Sequence, residues 1–438
     1  FMNIFFNKFN IINFFIIISS VIFCFCLILI FIEFNKLKKI NNNLSFSTFL
    51  NDSINEIIYS SFENKRLKKL NNIGHLKIYD KKFNDKGYIL FAGYDNRIGT
   101  SVTNLFSLEK NKIIHKWIPP INSIHNETPD FVSEYNLKKN YRMQHPLLIN
   151  NGNLIFGSGE GPIAKINSCS NLIWAINEHF HHSIEIYDDD YISVPIVINN
   201  KNKDLGIPYL DHGFAIVDIK SGTVIKRYSI FDILKKNNFI GLLFGVGEFE
   251  YDRVHLNDAE LISVTDKYFN QGDVMLSSKH LSTVFVFRPS TGEIIWLKTG
   301  PWLNQHDIDY QGNGIFTIYG NDTFRYPETD PYDVFLTTNN IYMYDFSNDI
   351  IKKIFLDNMK NIKTPTQGLH SVLNNGDLFV EETDNFKIYR FGKNNKRWEF
   401  VNSLDNGYIG SIHWSRYLSE DTNIDWISKS NCEEKKSN

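Results

Sequence analysis

The sequence predicts an all-β fold, a six-bladed β-propeller preceded by an N-terminal transmembrane helix and a short helical stalk. Three observations lead there: six weakly similar units of short apolar runs, turn residues between those runs, and one long uncharged apolar stretch near the start.

The clearest unit is His370-Ser371-Val372-Leu373-Asn374-Asn375-Gly376-Asp377-Leu378-Phe379-Val380, followed by Lys387–Phe391 and by Arg397–Val401. Its order is strand, glycine turn, strand, strand, strand. The same order recurs from Gln144 to Ile176 and from Gln305 to Phe355, with less regular copies at His181–Tyr228, His255–Lys298 and Gly87–Trp117. Asn-Gly and Thr-Gly pairs between runs favour hairpins, and radial repetition of four-stranded sheets is a propeller. Seven blades, with Gly407–Tyr417 completing the ring, is the alternative. Trp174, Trp296 and Trp398 fall on outer strands and read as core.

Composition fits this class. Of 438 residues, 42% are hydrophobic and 22% charged, enough to bury a sizeable core. Aromatics reach 15%, with 36 Phe and 21 Tyr, which suits half-buried pleated strands. A net charge of -3 lacks the basic footprint of a nucleic-acid binder, so no nucleic-acid partner is expected.

Residues 14–32 read FFIIISSVIFCFCLILIFI, close to the ~20 apolar residues that a membrane helix needs. A secretory leader has a shorter apolar region and a small-residue cleavage site. Neither feature occurs here, so an uncleaved anchor is expected. Lys8 precedes the span while Lys36, Lys38 and Lys39 follow it, a bias that would put the C-terminal side in the cytoplasm, although long domains translocate largely regardless of charge. Phe46, Phe49, Leu50, Ile54, Ile57 and Ile58 recur near helical spacing and mark the stalk. The expected organisation is anchor 1–40, stalk or linker 41–80, propeller 81–417 and a polar, mobile tail 418–438. Cys24, Cys26, Cys169 and Cys432 suggest no disulfide framework, zinc spacing or redox motif.

Five units carry a histidine at or just before their first strand: His145, His182, His255, His306 and His370. In a propeller such positions converge on the axis. Four readings stand: imidazoles that cap turns, a metal site, a quinone cofactor in the channel, and acid, base or nucleophile chemistry near neutral pH. No acidic residue is seen at ligand spacing, and neither metal nor cofactor is expected.

The stretches HLNDAELI at 255, STVFVFRPSTGEIIW at 282, QHDIDYQGNGIFTIYGNDTFR at 305 and GLHSVLNNGDLFVEE at 368 resemble the arylsulfotransferase family. The resemblance covers roughly residues 87–400. It implies an exported six-bladed propeller, facing the periplasm or an equivalent space, that passes a sulfuryl group from an aryl sulfate to a phenol without a nucleotide donor. It further implies His370 as nucleophile, with His255, His306 and Arg325 holding the sulfuryl oxygens. A histidine nucleophile would split the transfer into two displacements through a sulfohistidine. This chain has Gly320-Asn321-Asp322 where the family usually shows Asp-Asn-Gly, and lacks the paired cysteines of some members. The alternative is a non-catalytic tethered propeller that binds a glycan, a sulfated ligand or a protein. Roles for His212, His280 and His413, and the oligomeric state, do not emerge from the sequence.

Overall fold

The computed structural model describes residues 66–70, 74–132, 140–198, 209–245, 250–325, 333–404, 407–430 and 432. The span expected over 14–32 and most of the stalk lie outside the described residues. Among the described residues no helix is long and apolar enough to cross a membrane. The expected stalk helix fails at its far end. Leu67–Lys69 is a strand paired with Tyr408–Gly410, and Leu76–Ile78 pairs with Trp398–Phe400.

The described chain is mainly antiparallel β-structure, and all six sequence units become meanders. The last is the most regular, with Leu369–Val372, Leu378–Glu382, Lys387–Phe391 and Lys396–Ser403 in consecutive order. Its first turn places Gly376 at φ 79°, a left-handed conformation that glycine adopts without cost. The fourth and fifth units are four-stranded sheets, Leu256–Leu261 to Glu293–Thr299 and Asp307–Gly312 to Ile350–Ile354. The second and third merge into one sheet where Phe180 pairs with Ile196. In the first unit, Tyr88–Asp95, Thr100–Ser107 and Lys112–Trp117 are completed by Ile412–Leu418 from the other end of the chain.

That last pairing corrects the seven-blade alternative. Gly407–Tyr417 builds no sheet of its own, because Tyr408–Gly410 extends the last sheet and Ile412 onward joins the first.

The core has six main apolar layers, five between units consecutive in the chain and one between the sixth unit and the first. Trp296 of the fourth unit stacks on Phe316 and Tyr344 of the fifth at 4.8 and 4.8 Å. Leu378 and Val380 of the sixth pack with Tyr319 and Ile341 of the fifth. Phe379 and Trp398 of the sixth pack with Ile89 and Phe91 of the first. Trp174, Trp296 and Trp398 are all buried on the fourth strands of their meanders, as the sequence suggests. Burying one such side chain contributes roughly 1.5–3 kcal/mol.

Part of the expected polar tail packs against the core through Leu418, Ile424, Trp426 and Ile427. Trp426, on the short helix Trp426–Lys429, is buried against Trp117 and His115 at 5.6 and 4.8 Å. Gly152 makes room for it: a Cβ there would lie 2.2 Å from the indole, and the φ of 73° is left-handed. The helix delivers Cys432 to Cys169, and the two form a disulfide across 263 residues. Sequence distance hid a pair that the return of the chain to its first sheet brings together. Reduction, or Cys169→Ser, is expected to destabilise the domain by about 2–5 kcal/mol. A melting curve of oxidised against reduced protein checks it.

Candidate functional site

The six inner-strand starts bring their histidines into two adjoining clusters, one of imidazoles and one of carboxylates. His145, His182 and His255 have φ of 49°, 58° and 45°, left-handed values that few non-glycine residues adopt. In the fifth and sixth units the left-handed residue comes earlier, at Asn304 and Gln367. Their histidines therefore stand two and three residues further along. This offset separates His370 from the other rings.

His182 is the hub of the imidazole cluster. Its ring lies 5.1 Å from His255, 6.1 Å from His306, 6.3 Å from His145 and 5.1 Å from His181. Burial drives the pKa of His145, His181, His182 and His306 well below the ordinary value and that of His255 down to about 4. These rings are neutral at pH 7.

His306 has both nitrogens engaged. Nδ1–H donates to Asn321 Oδ1 at 2.7 Å, and Nε2 accepts from the backbone N–H of Gln367 at 3.1 Å. Asn321 in turn donates to the carbonyls of Thr364 and Gln367 at 3.0 and 2.8 Å. The pair therefore holds the turn that leads into His370. Half-buried Arg142 supports the same turn, donating to Gln367 Oε1 at 3.0 Å and to His413 Nδ1 at 2.7 Å.

His370 belongs to the carboxylate cluster. The buried ring donates from Nδ1 to Asp307 Oδ2 at 2.6 Å, and the same oxygen accepts the His370 backbone N–H at 2.7 Å. Nε2 is buried, makes no hydrogen bond, and faces Asp309 Oδ2 at 3.6 Å. Burial alone would lower this imidazole's pKa, but Asp309 and Asp307 overcome that and raise it. Burial pushes the Asp309 carboxyl up to about 7, against the pull of His370. Burial likewise raises Asp258 and Glu260. Arg416 neutralises Glu185 through two bonds of 2.9 Å. Glu185, Glu260, Asp307, Asp309, His370 and Arg416 line a cavity of about 320 Å³. A groove of about 360 Å³ at Leu303, Asp322 and Lys353 has no histidine in its lining and belongs to neither cluster.

The structure thus places His255 and His306 around His182, and sets His370 beside them against carboxylates rather than in ring contact. The two clusters meet through Asp307, next to His306 in sequence, and through the Gln367 turn. Arg325 ends the strand Thr323–Arg325, and its side chain lies outside the described residues.

Sequence reasoning missed Asp307 and Asp309, whose i, i+2 spacing in QHDID put both carboxylates on one face of a strand. It also missed His413 as the sixth histidine. Acidic ligand sets do exist: His212, Asp252 and His255 form one, and Asp307, Asp309 and His370 another.

Such a chain is an all-β protein of sequential antiparallel meanders with a buried histidine and carboxylate centre. Residues 144–403 match the model of the family described as arylsulfotransferase (ASST), and the chain belongs to that family. No curated protein matches it. Among solved structures, it is similar to the crystal structure of a protein of unknown function from Bacteroides caccae. That likeness has 11% identity and a TM-score of 0.46, over 76% of this chain and 99% of the other.

Proposed function

We propose that the chain transfers a sulfuryl group from an aryl sulfate to a phenol through His370. The observation that carries this reading is the state of that imidazole: one nitrogen is locked by Asp307, and the other is buried without a hydrogen bond beside a cavity. Anchoring of Nδ1–H fixes the tautomer and directs the Nε2 lone pair outwards, the arrangement an activated nucleophile requires.

In the first step Asp309 takes any proton on Nε2. The nitrogen attacks sulfur, the N–S bond forms, the S–O bond to the aryl group breaks, and the protonated Asp309 returns its proton to the departing aryloxide. In the second step Asp309 accepts the proton of the incoming phenol. The phenol oxygen displaces the histidine, and the N–S electron pair goes back to Nε2. Arg416, bonded to Glu185 in the cavity wall, offsets part of the negative charge that the sulfuryl anion meets. His255 and Arg325 are assigned to hold the sulfuryl oxygens, and His306 positions the Gln367 turn.

Six radial blades are the arrangement we infer for the meanders. Support comes from the six layers between successive units, the last closing onto the first. An exported location fits the Cys169–Cys432 disulfide, since such bonds persist in oxidising compartments. We further assign residues 14–32 as the anchor.

Incubation with p-nitrophenyl sulfate and a phenol should release nitrophenol and form the new aryl sulfate. Inertness towards a panel of aryl sulfates would instead make this a binding domain. The pH profile should also carry the signature of the pair. Below the raised pKa of His370 the Nε2 lone pair is lost, so the rate falls with acid at a pH above the ordinary 6.5. Asp309→Asn removes the largest raising influence and should move that limb to lower pH.

A further inference from the structure

A connected chain of imidazoles ends on one carboxylate outside the nucleophile's cavity. His182 Nδ1 meets His181 Nδ1 at 2.9 Å, and His181 Nε2 meets His212 Nδ1 at 3.0 Å. His212 Nε2 reaches Asp252 Oδ1 at 2.7 Å, and His255 Nδ1 reaches Asp252 Oδ2 at 2.6 Å. An ionised carboxylate only accepts, so both contacting nitrogens carry protons. Each neutral ring has one proton, which fixes every other tautomer. His212 Nδ1 accepts from His181 Nε2–H, and His181 Nδ1 accepts from His182 Nδ1–H. The outer nitrogens, Nε2 of His182 and Nε2 of His255, are left with lone pairs.

This outcome is poor for anion binding. Two neutral rings placed among His145 and His306 would offer lone pairs to sulfuryl oxygens. The inner end of the chain, however, suits a cation: the donor atoms of His212, Asp252 and His255 lie within 4.8 Å of one another. His280 Nδ1 stands 3.8 Å from Asp252 Oδ2. Asp252 and His255 are half-buried, which leaves an approach from solvent.

We propose that His212 Nε2, His255 Nδ1 and the Asp252 carboxylate bind a divalent transition-metal ion, and that the ion converts the neighbouring imidazoles into donors. Two imidazoles and a carboxylate suit zinc, iron or cobalt, with positions left open. A metal at His212 Nε2 forces the proton to Nδ1, which donates to His181 Nε2. His181 Nδ1–H then donates to His182 Nδ1, and His182 presents Nε2–H. A metal at His255 Nδ1 likewise leaves Nε2–H. Each ring keeps one proton, so the site gains two N–H donors with no net protonation. Hydrogen-bonded outer partners of this kind commonly orient metal-bound histidines. The consequence for sulfuryl binding rests on the proposed transfer activity; metal binding itself does not. The other trio, Asp307, Asp309 and His370, lines the cavity already assigned to the transfer.

The test titrates the chelator-treated full chain, in detergent, with Co2+ alone, read by visible absorption and calorimetry. One ion per chain, displaced by Zn2+, is expected. His212→Gln and Asp252→Asn should each weaken binding about tenfold or more at unchanged melting temperature, while His370→Ala should leave it intact. Absent binding, binding that survives both substitutions, or binding lost in His370→Ala would overturn the site. Inorganic sulfate affinity should rise about tenfold with Co2+ bound in the wild type and not in Asp252→Asn. Equal affinity with and without the ion would overturn the tautomer switch, whatever the turnover assay gives.

Discussion

His370→Ala is expected to lower kcat/KM for aryl sulfates by about three orders of magnitude or more, because no other nitrogen in the carboxylate cluster can carry the group. The fold should survive. Asp307 still accepts the backbone N–H of residue 370, and the strand pairing Leu369↔Glu381 to Val372↔Leu378 does not involve the ring. The loss of a buried hydrogen-bonded side chain should cost about 1–3 kcal/mol of stability. Steady-state kinetics beside a denaturation curve separates the two effects. A folded variant with full activity would contradict the assignment.

Asp307→Asn should cost about 10²–10⁴-fold in kcat, the second largest effect. Asparagine fills the same space, but its amide can donate as well as accept. Donation to Nδ1 would force the proton onto Nε2 and remove the attacking lone pair. The expected loss therefore falls on kcat, with KM little changed. This contrasts with Asp309→Asn, where the acid limb moves along the pH axis. If Asp307 were merely structural, the variant would lose stability and activity in parallel.

The fold was largely legible from the sequence because its unit is short and local. A glycine or asparagine turn between two alternating runs specifies a hairpin wherever it occurs, and six such units could be aligned. What escaped depended on the ends of the chain meeting. Ile412–Leu418 completes a sheet begun more than three hundred residues earlier, so neither its pairing nor the nearby Cys169–Cys432 bond has a local signature.

The site was legible by residue type and illegible by partner. Histidines at equivalent places were visible, and five of them lie in the two clusters. Their functions diverge because the left-handed residue falls at His145, His182 and His255 but at Asn304 and Gln367 in the next two units. That shift moves His370 against Asp307. Asp252 lies in an irregular segment, and only the tertiary fold could show it bridging His212 and His255.

The most direct measurement exposes the full chain to p-nitrophenyl sulfate with no acceptor, quenches under neutral or alkaline conditions, and maps the adduct by mass spectrometry. One sulfuryl group on the peptide containing His370, discharged when a phenol is added, is the expected result. An adduct on a different histidine, or turnover with no adduct at all, would contradict it.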